Sequence, residues 1–149
     1  MNTPFNFRLT KFPNEAEILR HEVREFLSDA LKDIPKETRA ETWYGADENF
    51  SRKVGQKGWI GLNWPKEYGG AGRSSMERYV ILEEMLTAGA PVGAHWISDR
   101  QSGPLIIRYG TEKHQKELLP GILKGESYFC IGMSEPDSGS DLAALRTKA

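Results

Sequence analysis

The sequence has few of the features that mark disulfide-bonded, metal-binding or membrane-spanning proteins. Its single cysteine, Cys130, excludes a disulfide framework within the chain and gives too few ligands for a cysteine-based metal site. No stretch approaches the roughly 20 apolar residues that a membrane-spanning helix needs, and no secretory signal is evident near Met1. We therefore expect a cytoplasmic protein with no bound metal and no membrane span.

The charged residues are nearly balanced and show no local excess of either sign. The 149 residues include 20 Lys and Arg against 21 Asp and Glu, a formal net charge of −1. This balance gives no electrostatic reason to expect binding to nucleic acid or to an anionic membrane. With 38% hydrophobic and 28% charged residues, the composition is typical of a folded globular domain.

Most of the chain shows the periodicity of amphipathic helices. After Pro13, apolar residues recur every three or four positions, which predicts a helix with Asn14 as its N-cap and Pro35 as its stop. The residues of this apolar stripe are Leu19, Val23, Phe26, Ala30 and Ile34. A shorter helix is predicted from residues 47–57, whereas the polar segment 35–46 is typical of a loop.

Three further helices are predicted from caps and breakers. Ser74 with Glu77 fits a capping box that opens the next helix. The apolar segment that follows is typical of a buried helix that Pro104 breaks or kinks. Thr111 can cap a last helix, which we expect Pro120 to cut short.

The pattern changes after Glu126, where a helical domain of residues 1–126 is predicted to end. Five helical segments in a row predict a mainly α fold, with a helical bundle as that domain. The next residues, SYFCIGMS, favour a strand, and EPDSGSD has the composition of a turn. LAALRTKA fits a second strand or a helical turn. Residues 127–149 are therefore predicted to begin a β domain that is truncated here.

The turn MSEPDSGSD allows two interpretations on its residues alone. Gly139 lets the backbone adopt otherwise costly angles and approach a ligand closely. Hydroxyls beside exposed N–H groups can then hold an anionic or polar ligand, and they belong to Ser134, Ser138 and Ser140. An ordinary surface turn of small polar residues is the more frequent case, and without further context we favour it.

Three segments together resemble the acyl-CoA dehydrogenase family. In that family a strand leads into Ser/Thr-Glu-Pro and then Gly-Ser-Asp; this chain has Ser134-Glu135-Pro136 followed by Gly139-Ser140-Asp141. GWIGLNWPKEYGG, residues 58–70, is similar to the family's early loop. YGTEKHQKELLPGILKGE, residues 109–126, is similar to the end of its N-terminal helical domain. The order and spacing make the resemblance specific, and it covers nearly the whole chain.

The resemblance implies an FAD-dependent enzyme that removes the α and β hydrogens of an acyl-CoA thioester, giving the 2,3-enoyl-CoA. On the match to the family's flavin-contacting strand, Ile131 and Met133 pack near the isoalloxazine ring and Ser134 hydrogen-bonds to it. Gly139 and Ser140 belong to the same cofactor-binding set, and Ser140 also touches the CoA part of the substrate.

The resemblance also implies what this chain does not contain. The family's catalytic base is a glutamate of the C-terminal helical domain, so no residue here is assigned as catalytic. We expect the chain to be the N-terminal part of a dehydrogenase, inactive by itself. The implied partners are the acyl-CoA substrate, an electron-transfer flavoprotein as acceptor, and further subunits in a homo- or hetero-oligomeric dimer or tetramer.

Two other functions fit the same sequence. A non-catalytic remnant or binding module would use the unpaired edge of the incomplete sheet to hold a partner. An acyl-CoA oxidase-like flavoprotein would keep the fold but reoxidise its flavin differently. Bound flavin separates the first alternative from a dehydrogenase, and oxygen consumption separates the second.

A polar group interrupts the apolar segment HWISDRQSGP. His95 and Asp99 are four residues apart and therefore on one helix face, with Arg100 beside them. An internal network that satisfies buried polar groups is the favoured interpretation. The alternative is an acyl pocket for a bulkier or more polar substrate, such as a sterol side chain or a ring-derived acid.

The remaining candidates have structural interpretations. Cys130 is predicted to be a small core residue at the start of the strand. His21 and His114 are predicted to be solvated on charged helix faces. The aromatic residues of the segment 58–70 are predicted to anchor it to the core; they are Trp59, Trp64 and Tyr68.

Overall fold

Regular structure in the computed structural model, which describes residues 11–148, is almost entirely helical, and the prediction of a mainly α fold is confirmed. Its helices are α1 (Asn14–Ala30), α2 (Lys36–Ala40), α3 (Glu48–Gln56), α4 (Ser75–Thr87), α5 (Gly93–Ile97), α6 (Gly103–Tyr109) and α7 (Glu112–Leu123). One turn of π-helix, the π-turn Ser98–Ser102, joins α5 to α6. 3₁₀ turns occupy Thr42–Tyr44, Lys66–Tyr68 and Leu142–Ala144. None of the helices within residues 11–148 has the length and apolar content needed to cross a membrane.

One cluster of buried apolar side chains holds the helices together. The cluster takes residues from α1, α3, α4 and α7, including Leu19, Leu27, Phe50, Val54, Ile81, Met85, Leu119 and Ile122. The segment 58–70 closes one side, because Trp59 and Trp64 are only 5% and 3% exposed and Tyr68 packs against the same cluster. The prediction that these aromatics anchor their loop is confirmed. Large buried aromatic side chains contribute strongly to the stability of such a core.

Ion pairs centred on the buried Glu84 join α1 to α4. The carboxylate of Glu84 is nearly inaccessible and accepts hydrogen bonds from Arg24 at 2.7 and 2.9 Å and from Arg20 at 2.5 Å. Arg20 also donates to Glu83 at 2.5 Å. The hydrogen bonds from Arg24 and Arg20 hold the pKa of Glu84 below its usual value, although burial raises it. Each charge therefore has an opposite charge beside it, which buried ionic groups require.

The ends of α1 differ from the predicted ends. Asn14 is the first residue of the helix; Pro13 occupies the cap position and no side chain caps it, so the prediction of Asn14 as N-cap is wrong. The helix ends at Ala30, and Ile34 packs against the core from beyond it. The segment predicted as a loop contains α2, which is fixed by a tertiary contact: Arg39 donates to the carbonyl of Ala88 at 2.8 Å.

Caps predict the later helices better than prolines do. Ser74 forms the predicted capping box with Glu77, and Thr111 caps α7 as expected. The π-turn ends two residues before Pro104, where we predict a break, and the proline itself fits the first turn of α6. The expectation that Pro120 ends α7 is wrong, because the helix continues to Leu123. The burial of neighbouring side chains in the core favours this continuation over a break.

The strand predicted for residues 127–134 does not form, and this prediction is wrong for the described part of the chain. A strand is defined by hydrogen bonds to a neighbouring strand, and no strand lies beside this segment among residues 11–148. A single antiparallel bridge joins Glu135 to Ser138. LAALRTKA begins with a 3₁₀ turn rather than a strand. Cys130 is exposed, so its prediction as a core residue is also wrong. The domain boundary at residue 126 stays a prediction.

Candidate functional site

The π-turn is held in place by the segment 58–70. The Asp99 carboxylate accepts a hydrogen bond from the Gly61 N–H at 2.8 Å, and the Asp99 carbonyl accepts one from the Trp64 indole N–H at 3.3 Å. Gly103 follows the turn, and a Cβ added there would lie 2.1 Å from the Trp64 ring. Glycine is therefore required at this close contact. π-turns inside helices are frequent at functional sites.

The three polar residues of α5 and the π-turn are held by other elements rather than by each other. Asp99 is buried and also accepts a hydrogen bond from Arg78 at 3.2 Å. His95 is buried, and its Nδ1 lies 2.8 Å from the Ser51 hydroxyl. Arg100 is exposed and stacks on an aromatic ring of α5. The favoured interpretation, a network that satisfies buried polar groups, is confirmed for the first two residues.

Burial sets the charge state of His95. Removal from water lowers the pKa of the imidazole to about 4, and the nearby Asp99 carboxylate raises it by less. The ring is therefore neutral near pH 7 and pairs with the Ser51 hydroxyl as an uncharged group. It therefore offers no charge to a ligand.

The buried hydroxyl of Ser98 connects the π-turn to the segment that follows α7. Its Oγ donates to the Ser127 carbonyl at 3.1 Å and accepts from the Phe129 N–H at 3.0 Å. Ser98 is 0% exposed, and Phe129 packs against the core. The start of the segment predicted to contact flavin is therefore attached to the helical domain.

An aromatic cleft of about 390 Å³ opens beside this segment. Its lining includes Trp43, Tyr44, Trp96, Phe129 and Ile131. Ring centroids lie 4.5 Å apart between Trp43 and Tyr44 and 6.2 Å apart between Trp43 and Trp96. The volume falls within the range of about 300–1,000 Å³ typical of small-molecule sites, and the lining is predominantly apolar.

A second fixed element follows at the turn of residues 135–147. Glu135 and Ser138 exchange two backbone hydrogen bonds, of 2.9 and 3.1 Å. The Ser138 hydroxyl donates to the Asp141 carbonyl at 2.6 Å, and the Glu135 carboxylate accepts from the N–H groups of Arg146 and Thr147. Hydrogen bonds from Thr147, first from its hydroxyl, and from Arg146 keep the pKa of Glu135 low. Glu135 thus organises the turn.

The predicted cofactor residues remain at the surface of the described chain. Ile131 and Met133 are 44% and 59% exposed, and Ser134, Gly139 and Ser140 are exposed as well. The φ of Gly139 lies outside the left-handed region, so the expectation of costly backbone angles there is wrong. A Cβ on Gly139 would also meet no atom within 4 Å, so the folded chain itself does not require glycine at this position.

The family model of the acyl-CoA dehydrogenase N-terminal domain matches residues 13–126. The chain belongs to the acyl-CoA dehydrogenase family. The match includes the segment 58–70, the π-turn and α7, which together hold the start of the exposed segment. It ends just before the residues predicted to bind the cofactor.

Several acyl-CoA dehydrogenases resemble the chain over nearly its full length. Acyl-CoA dehydrogenase FadE26 of Mycobacterium tuberculosis is 37% identical over 95% of this chain and 36% of its own length. The ChsE4-ChsE5 complex from Mycobacterium tuberculosis aligns with a TM-score of 0.79 at 35% identity, covering 94% of this chain and 35% of that chain. The steroid ACAD Tcur3481-Tcur3483 aligns with a TM-score of 0.78 at 38% identity, covering 91% and 35%. This chain thus spans about a third of the length of these relatives.

Two parts of this candidate site are not among the residues predicted from sequence. Trp43 and Tyr44 line the cleft, and their signal is a pair of adjacent aromatics in an otherwise polar segment. Ser98 carries no comparable signal, because its hydrogen-bond partners lie about 30 residues away in the sequence. Of the predicted residues, the structure brings Ile131 to the cleft.

Proposed function

We propose that this chain forms the N-terminal helical domain and the first flavin-facing segment of an FAD-dependent acyl-CoA dehydrogenase. The enzyme would convert an acyl-CoA thioester to the 2,3-enoyl-CoA. One observation carries the proposal: the apolar side chains of Ile131 and Met133 stay exposed on a segment that is fixed at both ends. An exposed apolar surface of this kind is typical of a place that another group covers. Because the chain belongs to the acyl-CoA dehydrogenase family, we propose that this group is FAD.

The residues of this segment fit a flavin ring. Ile131 and Met133 can cover one face of the ring and exclude water, and the Ser134 hydroxyl can hydrogen-bond to its edge. A Cβ on Gly132 or Gly139 would meet no atom within 4 Å, so both positions leave room for a bound group to approach the backbone. FAD, when bound, would supply the hydride acceptor for the oxidation.

The chain's own residues would bind and orient rather than transfer the proton. Ser140 would contact the CoA part of the substrate, on a turn that the Glu135 carboxylate holds in shape. The buried Glu84 is engaged by two arginines and is not available as a base. We assign the catalytic base to no residue of this chain and expect the chain alone not to turn over acyl-CoA.

The aromatic cleft supports a bulky, apolar acyl group as substrate. Trp43, Trp96 and Phe129 offer flat apolar faces at the side of Ile131, where an acyl chain beside the flavin would extend. The relatives include a steroid ACAD, and a sterol-derived or ring-derived acyl group has the size and shape that such a cleft accommodates. The buried His95 and Asp99 are already hydrogen-bonded to other residues of the chain. We therefore propose that the acyl group is bulky and apolar rather than polar.

Flavin content and turnover test the proposal. The protein, expressed from its whole reading frame, is expected to purify with flavin absorbance and to oxidise acyl-CoA with an artificial electron acceptor. Ring-bearing acyl-CoAs should react faster than unbranched ones of similar carbon number. A purified, folded protein without flavin would favour the binding-module alternative, and hydrogen peroxide formation during turnover would favour the oxidase-like one.

Substitutions in the cleft test the substrate class. Trp96→Ala is expected to raise KM for a ring-bearing acyl-CoA by about tenfold or more, because a large apolar contact is lost, while KM for butyryl-CoA changes little. Tyr109→Ala, which removes an exposed aromatic ring on α6 outside the cleft, is the matched control. Equal effects of Trp96→Ala on both substrates would contradict a role of the cleft in acyl binding.

The partners follow from the same resemblance. We propose an electron-transfer flavoprotein as the physiological acceptor and a dimer or tetramer, with like or unlike subunits, as the active form. One similar structure is the ChsE4-ChsE5 complex, which contains two different proteins. Reduction of a purified electron-transfer flavoprotein and the mass of the native enzyme in solution test these two points separately.

A further inference from the structure

We infer that Ser98 is a positioning residue that holds the flavin-facing segment in register with the helical domain. The inference rests on the proposed function, because the position of residues 131–134 matters to catalysis only if they contact the cofactor. Ser98 lies on the π-turn and is not among the residues that line the aromatic cleft. Its action is therefore indirect, through the backbone that it holds.

The Ser98 hydroxyl takes the place of a neighbouring strand. A residue of a paired strand accepts one backbone hydrogen bond and donates another to its neighbour. Ser98 Oγ does both with one atom, accepting from the Phe129 N–H at 3.0 Å and donating to the Ser127 carbonyl at 3.1 Å. The side chain is 0% exposed, so water cannot readily replace these bonds.

The anchor lies immediately before the predicted flavin contacts. Phe129 is two residues from Ile131, and residues 130–134 form no backbone hydrogen bond within the described range 11–148. The next fixed point along the chain is Glu135, which pairs with Ser138. The five residues between the two anchors therefore take their position from Ser98 on one side and from the turn on the other.

Ser98 is itself held rigidly. The next residue, Asp99, is fixed by the Gly61 N–H, by Arg78 and by the Trp64 indole, and each of these contacts comes from outside the helix. A hydroxyl on a loose turn would follow the segment that it binds. A hydroxyl on a turn fixed by three external hydrogen bonds can instead impose a position on it.

The experiment compares Ser98→Ala with Ser102→Ala in the protein expressed from its whole reading frame. Both variants lose a hydroxyl from the same π-turn, but no side-chain hydrogen bond of Ser102 is present in the described part of the chain. Hydrogen exchange of the peptide 127–134, the visible spectrum of the bound flavin and its dissociation constant are measured. Ser98→Cys, which fills the volume with a weaker hydrogen-bonding group, serves if the alanine variant folds poorly.

We expect Ser98→Ala to speed exchange of the Phe129 amide, measured in the peptide 127–134, by at least about two- to tenfold and to weaken FAD binding by a similar factor, since each of the two lost hydrogen bonds is worth that range. Peptides from α1 and α4 should keep their protection, and the flavin absorption bands should shift. Ser98→Cys should give a smaller effect, and Ser102→Ala none. Unchanged exchange in Ser98→Ala would overturn the inference.

The two proposals fail in different ways. Faster exchange together with an unchanged flavin spectrum and affinity would show an anchor without a role in cofactor positioning, and would overturn the inference alone. A wild-type protein that binds no flavin would overturn the proposed function and, with it, the role of Ser98 towards the cofactor.

Discussion

The neutral, buried imidazole of His95 makes stability depend on pH in a window where carboxylates contribute little. Its pKa is about 4 in the folded chain, against the ordinary value of 6.5 that applies when the chain is unfolded. Between these two values the unfolded state binds more protons than the folded state. The contribution of the neutral His95 to the free energy of unfolding is therefore fully present above pH 6.5 and is lost as the pH falls towards 4.

The size of the effect follows from the two pKa values. At pH 5 the linkage relation gives a loss of roughly 2 kcal/mol relative to pH 7, and the limit below pH 4 is roughly 3 kcal/mol. His95 is only 5% exposed, so solvent screening reduces these values little. The carboxylates whose pKa values are lowered, such as Glu77 and Glu84, lose their contributions only as the pH falls below their ordinary value of 4.5.

Urea unfolding at pH 7, 6 and 5 measures the effect, with circular dichroism as the signal. The wild-type chain should lose roughly 2 kcal/mol between pH 7 and pH 5, and His95→Gln, which keeps a partner for Ser51 but does not titrate, should lose far less. His21→Gln, at an exposed position of α1, is the control and should behave like wild type. If His95→Gln keeps the full pH dependence, burial of this imidazole is not its cause.

Two further substitutions test the packing around the site and core. Gly103→Ala places a Cβ against the Trp64 ring and should lower the free energy of unfolding by about 1–3 kcal/mol, whereas Gly132→Ala, with open space around it, should change it by less than about 0.5 kcal/mol in the chain without cofactor. Glu84→Gln should cost about 2–3 kcal/mol, since it weakens the hydrogen bonds that the buried carboxylate accepts from two arginines, while Glu117→Gln removes only an exposed pair and should cost less than about 0.5 kcal/mol. Urea unfolding at pH 7 measures both pairs; equal costs within a pair would contradict the packing assigned to it.

Local signals in the sequence predict the parts of the fold that local contacts stabilise. The capping box of Ser74 and Glu77 lies within four residues, so the start of α4 is predictable. Pro120 shows the opposite case. A proline inside a helix removes a hydrogen bond, but Leu119 and Ile122 beside it are buried against other elements, and this burial outweighs the local preference. The burial of Leu119 and Ile122 against other elements cannot be predicted from the few residues around Pro120 in the sequence.

The candidate site is less predictable than the fold for the same reason. The residue types of SYFCIGMS favour a strand, but a strand also needs a neighbour, and the described chain provides a serine hydroxyl instead. Trp43 and Trp96 form one cleft although 53 positions separate them in the sequence. The predicted cofactor residues can be identified from the family resemblance. The residues that hold them in place can be identified only from the folded chain.

The two most distinctive motifs of the sequence are physically connected. The segment 58–70 fixes Asp99 through Gly61 and Trp64, and the adjacent Ser98 fixes Phe129 just before the turn MSEPDSGSD. Hydrogen bonds on two neighbouring residues thus connect segments that lie more than 60 positions apart in the sequence. The π-turn makes this connection because its carboxylate faces the loop while its hydroxyl meets the segment after α7. A change in the early loop can therefore reach the proposed flavin contacts without any residue of the loop touching the cofactor.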